Sequence, residues 1–348
     1  MNVSSPLRAV TLVLAFVPLA GCGGGSSPAA PGGPGADSVA VVADLTGLQV
    51  FPADNWWNLD VSGAPVDPGS AGFIDFVSGR TPADPAATRH AHPDFGPPPY
   101  GIPYVTVGAN QPLVPVTFSP YGSQSDAGAP GRPAGYPIPG EVRTQAGYIE
   151  GGVAGGGGSG DRHLLVIDRA RGLLFETWAT RWNSAAGRWE AGSGAVFDLA
   201  TNGRRPDGWT SADAAGLAIL PGLVRYDEVA SGAAIRHAFR VTVRATNGYV
   251  WPASHAAGNT AGALPMGARL RLKPGKDLGG YAPEVRRIFQ AMKAYGLIVA
   301  DNGTDLYVSG TMDARWDNDV LNPAFGGLTA DDFEVVQLGW GEGPPAPQ

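Results

Sequence analysis

Apolar and polar side chains alternate most regularly in residues 161–182, DRHLLVIDRARGLLFETWATRW. The pattern predicts two strands joined by a tight turn at residues 169–172. Successive strand side chains point to opposite faces. Leu174, Glu176, Trp178, Thr180 and Trp182 therefore share one face, and Phe175, Thr177, Ala179 and Arg181 the other. One sheet face would carry a carboxylate between two indoles. A second alternation covers residues 235–244. Ile235, His237, Phe239, Val241 and Val243 form its apolar face, opposite Arg236, Ala238, Arg240, Thr242 and Arg244. The run RLRLK repeats the basic face with Arg269, Arg271 and Lys273. Like charges on alternate positions repel unless carboxylates or an anionic ligand cover them. Residues 101–118 read as a hairpin, which Pro103, Pro112 and Pro115 place at a sheet edge. Residues 297–309 read as another, across the Asn302-Gly303 turn. A last strand falls at 333–338.

A period of 3.6 is clear in residues 283–295, where Val285, Ile288, Phe289 and Met292 make one stripe. Pro283 suits the first turn and Gly296 the stop. A shorter helix is expected within residues 65–76, with Phe73, Phe76 and Val77 aligned, and Ser211 could cap a third. The 52 glycines and 32 prolines among 348 residues imply many turns, while nine Trp, twelve Phe and ten Tyr argue for a packed body. The expected fold is mainly β: an antiparallel β-sandwich, jelly-roll-like, with one long helix packed outside and long Gly/Pro loops. Residues 119–143 are such a loop. So is the GGGGSG run at 155–160, which lacks the Lys-Ser/Thr of a phosphate loop.

Arg8 precedes an apolar run at residues 9–20, too short to span a bilayer and suited to a signal-peptide core. The run ends in Leu19-Ala20-Gly21-Cys22, which resembles the lipobox of bacterial lipoproteins. The resemblance implies cleavage before Cys22 and lipidation of Cys22. With Gly23 rather than Asp following, it also implies outer-membrane sorting in a host with two membranes. A lipid anchor holds by burying its methylenes, with no transmembrane helix. We expect a signal peptide at 1–21, a Gly/Ser/Pro tether at 22–38, one β-rich domain at 39–340 and a disordered tail at 341–348. The stretches DRHLLVID, GWTSADAAGLAILPGLVRYDE and ADNG are similar to a family of secreted bacterial proteins. That likeness spans most of residues 51–338 and brings no activity with it.

The formal charge is −7 and no Lys/Arg cluster could track a phosphate backbone, which excludes nucleic acid as a partner. The single cysteine cannot form an intramolecular disulfide. The expected partner is a polysaccharide or other envelope glycan. Glycoside hydrolysis needs two carboxyls about 5–10 Å apart. Glu176 is the first choice for one; Asp198, Asp213, Asp227 or Glu228 would supply the other. A lyase acting on a uronic polymer would instead use His255 as base, with Arg236 or Arg240 neutralising the substrate acid. Trp178, Trp182, Trp209 and Trp251 are candidate sugar-stacking surfaces; the adjacent Trp56 and Trp57 suit either stacking or a core edge. His90, His92 and Asp94 lie on one side of an extended segment, a metal trio short of a further ligand or an ordinary solvated loop. We expect a monomer with no metal and no cofactor. The alternative is a non-catalytic glycan-binding or structural lipoprotein, and a deep cleft with converging carboxyls against a flat aromatic platform separates the readings.

Overall fold

The computed structural model describes residues 39–46, 48–128 and 131–342. The signal peptide, Cys22, the whole tether and residues 343–348 of the tail lie outside that range. Among the described residues the chain is mainly β, with fourteen strands and five α-helices. The strands are β1 Ala40–Val41, β2 His92–Gly96, β3 Tyr104–Val107, β4 Val116–Phe118, β5 Leu164–Asp168, β6 Leu173–Trp178 and β7 Arg181–Asn183. They continue with β8 Arg188–Ala191, β9 Ser193–Asp198, β10 Phe239–Val243, β11 Arg269–Leu272, β12 Leu297–Asn302, β13 Tyr307–Met312 and β14 Phe333–Val335. The helices are α1 Ser70–Ser78, α2 Glu141–Thr144, α3 Tyr226–Ala230, α4 Pro283–Ala294 and α5 Asn318–Gly326.

Three sheets result, ordered β1-β3-β5-β6-β9, β14-β11-β12-β10-β13-β2 and β4-β8-β7. All three are mixed, because β3–β5, β10–β12, β13–β2 and β4–β8 pair in parallel. An antiparallel sandwich was expected from the alternation, which reports faces and says nothing of strand direction. The predicted β5–β6 hairpin forms, with Leu165 opposite Glu176 and Ile167 opposite Leu174. It ends at Trp178. Ala179 takes a φ of 55°, so the alternation resets and Trp182 leaves for the third sheet. Two other expected hairpins do not form. β3 and β4 belong to different sheets, and β10 lies between β12 and β13. The Asn302-Gly303 turn passes the end of β10 instead: Gly303 N donates to Val243 O and Leu306 N to Thr242 O.

Both faces of the five-stranded sheet are covered. Leu165, Ile167, Leu174, Ala195 and Phe197 join the main core shared with β10, β12 and α4. Val105, Val107, Leu164, Val166, Phe175 and Val196 face a second core closed by Tyr136, Ile138, Val142, Ile149 and Trp189. Helix α4 buries the predicted Val285, Ile288, Phe289 and Met292. It ends where Gly296 adopts a φ of 76° and where a Cβ would come within 2.5 Å of Leu270 O, so only glycine fits. No described helix is long and apolar enough to cross a membrane.

The basic strand faces are structural over most of their length. Arg269 donates to the carbonyls of Trp56, Leu59 and Tyr295, and Arg271 to Glu334 and the carbonyls of Val61, Ser62 and Ala64. Burial with no paired acid pulls Arg269 down to about 9. These two side chains pin residues 56–64 across the sheet, and Trp56 and Trp57 are buried there.

Candidate functional site

The segment 210–222 runs between the two large sheets and ties them through charged groups. Its first turn is built from side chains: Ser211 Oγ accepts from Asp213 N, and Thr210 and Ser211 hydroxyls donate to Asp213 O. No helix forms at Ser211. Gly216 then passes so close to Ser254 that a Cβ would lie 2.0 Å from its Oγ. On one side Ile219 N and Leu220 N donate to the Glu176 carboxylate at 2.8–3.0 Å. On the other, Asp213 receives Arg240 Nε at 3.0 Å and Nη2 at 2.9 Å.

This geometry decides the fate of the leading candidate. Glu176 was expected beside two indoles on an open face, yet it is fully sealed, 0% exposed. Its face looks into the main core, and its carboxylate closes the turn at 219–220. Burial raises it to about 7 even though two backbone N–H groups stabilise the anion. It cannot touch a substrate.

Arg240 leads outward from that interior. Besides Asp213 it donates through Nη1 to Ser309 Oγ at 2.8 Å and through Nη2 to Asp301 Oδ2 at 3.0 Å. Asp94 stands opposite Ser309 on the neighbouring parallel strand. Asp301 retains 25% of its side-chain exposure and Glu150 23%, while Asp161 is exposed. The network thus opens to solvent at Asp94, Glu150, Asp161 and Asp301, with Arg240 and His163 behind them.

The carboxyls of this mouth differ in proton affinity. Burial raises Asp301 to about 6, against the pull of Arg240. Burial also raises Asp94, with the charges of Glu150 and Asp161 adding to it and Arg240 opposing. Glu150 behaves oppositely: burial would raise it, but the charge and hydrogen bonds of His163 outweigh that and hold it low. His163 is 2% exposed, and its ring nitrogens face two acceptors, Glu150 Oε2 at 2.7 Å and Ala212 O at 3.1 Å. Burial alone would discharge it; Glu150 instead holds it as an imidazolium up to about 9. A protonatable carboxyl, an ionised carboxylate and two fixed cations in one network are what proton transfer requires.

The other predicted residues scatter. Asp198 is exposed at the end of β9 and accepts from Ala200 N. Asp227 is buried and accepts from Leu45 N. Glu228 bridges Arg225 and His237 in a separate cleft whose rim carries Arg236. His255 is half-buried, with Nδ1 on Ala214 O, and makes no hydrogen bond or ion pair with Asp94, Glu150, Asp161 or Asp301. Trp178 is half-buried at the rim, where Nε1 donates to Asp161 Oδ1 at 3.2 Å. Trp182 packs on Trp189 under Arg143, Trp209 lies beneath Arg205, and Trp251 packs on Trp56. His90 bonds Gly326 O, His92 stacks on Tyr307, and Asp94 belongs to the Arg240 network. Among the described residues no group of three or more His, Cys, Asp or Glu is placed to hold a metal ion.

Asp94, Glu150, Asp161, His163 and Asp301 were not singled out as catalytic in the sequence. Asp301 fell next to the expected Asn302-Gly303 turn, and Asp94 was read as a metal ligand or part of a solvated loop. The available signals were an aspartate closing the apolar run LIVA, and two polar residues on one face of HPDFG. Comparison with protein-family models, curated proteins and solved structures finds no match in any of the three.

Proposed function

We propose that the chain is an extracytoplasmic enzyme, anchored by lipid at Cys22, that hydrolyses an envelope or environmental glycan by acid–base catalysis at the Asp94–Glu150–Asp301 mouth. The observation that carries this reading is that two solvent-reaching carboxyls sit on the same cationic network, Asp301 on Arg240 at 3.0 Å and Glu150 on His163 at 2.7 Å; burial raises Asp301 to about 6 while His163 holds Glu150 low. Glycoside cleavage uses one carboxyl as proton donor and one as base or nucleophile. Asp301 is the donor and Glu150 the ionised partner, with Asp94 beside them. Arg240 and His163 supply fixed positive charge for the anion left when the proton departs. Trp178, hydrogen-bonded to Asp161 at the rim, offers an apolar face to a sugar ring.

The test is a glycan-degradation screen with the full chain, comparing wild type with Asp301→Asn. Removing a general acid is expected to lower kcat by about 10²-fold or more. Turnover should fall as pH rises through about 6, where Asp301 loses its proton, and fall again in acid where Glu150 gains one. Undiminished turnover by Asp301→Asn removes the assignment. Glycan binding without cleavage of any polymer favours the non-catalytic reading. The anchor is tested separately. Cys22→Ser is expected to move the chain from the membrane fraction to the soluble one and to abolish incorporation of radiolabelled palmitate; unchanged fractionation rejects it.

A further inference from the structure

A cleft of about 480 Å³, lined by none of the carboxyl-mouth residues, lies between residues 48–58, residues 221–228, residues 234–237 and Tyr295. That volume is within the range of small-ligand sites. Its walls carry two guanidiniums, Arg225 and Arg236, against one carboxylate, Glu228. Glu228 is committed twice, accepting from Arg225 Nη2 through Oε1 and lying 2.9 Å from His237 Nε2 through Oε2. Its charge is thereby matched within the wall. Arg236 is exposed and makes no hydrogen bond or ion pair with another described residue. Arg225 is only 5% exposed at its side chain and is held between Glu228 and Asp227, whose Oδ1 lies 3.6 Å from Nε; its Nη1 forms no hydrogen bond with a described residue. Around it the Tyr295 hydroxyl and Asn58 Oδ1 are likewise uncommitted, because Asn58 spends Nδ2 on the carbonyls of Val50, Phe51 and Pro52.

We propose that this cleft binds a small carboxylate bearing hydroxyl groups, of the uronic-acid class. Arg236 receives the carboxylate, Arg225 offers its free Nη1, and Tyr295 and Asn58 address the hydroxyls. Planar guanidinium and planar carboxylate meet through paired N–H···O bonds, which a neutral sugar cannot offer. An exposed, unpaired Arg236 on the wall of a cleft, in a chain with net charge −7, points to a ligand of opposite sign. The site is distinct from the carboxyl mouth and does not depend on the hydrolase reading.

Calorimetric titration of the full chain with D-galacturonate, D-galactose and an α-1,4-linked trigalacturonate tests it. Galacturonate is expected to bind at least tenfold more tightly than galactose. Arg236→Gln, at an exposed position without protein partners, is expected to fold normally and to lose at least tenfold in affinity. Asp301→Asn should leave the affinity unchanged, which separates this site from the hydrolytic one. A trimer that binds more tightly than the monosaccharide identifies a polymer-borne uronate as the source; equal binding identifies the free acid. Equal affinity for galacturonate and galactose, no binding of any uronate, or an Arg236→Gln variant that binds like wild type overturns the proposal.

Discussion

Replacing Arg240 with methionine is expected to lower the unfolding free energy by about 3 to 5 kcal/mol, the usual cost of stranding one partner of a buried ion pair. The cost falls on Asp213. Its carboxylate is sealed from solvent and receives two Arg240 N–H groups; besides these it accepts only Ala214 N. Asp301 loses the same partner but keeps access to water, so its share is smaller. Urea unfolding reads the result as a lower midpoint with an unchanged slope. Asp213→Asn in the same chain should recover part of the loss, because the uncompensated anion is its source. A single-variant loss below about 1 kcal/mol, or a double variant whose losses simply add, would show that the pair is not coupled as the geometry requires.

Stability is expected to decline as pH rises from about 4.5 to about 9. Glu176 and Asp301 have folded values near 7 and 6, above their unfolded values of 4.5 and 3.8. Between those limits the folded state holds more protons than the unfolded one, so raising the pH disfavours folding. His163 is raised from 6.5 to about 9. Its contribution is complete below 6.5 and disappears as pH climbs through 9, the same sign over a later window. For Glu176 alone the gap is worth about 3 kcal/mol at 1.36 kcal/mol per pH unit. Glu150 and Glu228 are held low and act on the acid side, their contributions vanishing as pH drops through their depressed folded values. Chemical unfolding at pH 4.5, 7 and 9 measures the profile, and Glu176→Gln should flatten its first segment. A wild type more stable at pH 7 than at 4.5, with Glu176→Gln running parallel to it, contradicts this account.

Period-two alternation located β5 and β6 and correctly put Leu174, Glu176 and Trp178 on one face. It could not say that this face is roofed, because the roof is the loop 210–222, which returns from far along the chain. Both faces of that sheet are interior, so alternation between apolar and polar no longer means inside and outside. Helix α4 was legible because its stripe, its proline and its glycine are all local. β2 was not, since prolines around HPDFG mark a loop and its strand partner lies more than two hundred residues away. The carboxyl mouth suffered most. Its members come from β2, the loop before β5, and β12, and only the insertion of β10 between β12 and β13 gathers them around Arg240.

That insertion has a dynamic consequence. β10 is hydrogen-bonded along both edges, to β12 on one side and β13 on the other. Outer strands and loops open through local fluctuations, whereas a strand held on both flanks is released only in large cooperative openings. The guanidinium that organises the mouth therefore rides on the last part of the sheet to let go, and its alignment with Asp213 and Ser309 lasts as long as the fold itself.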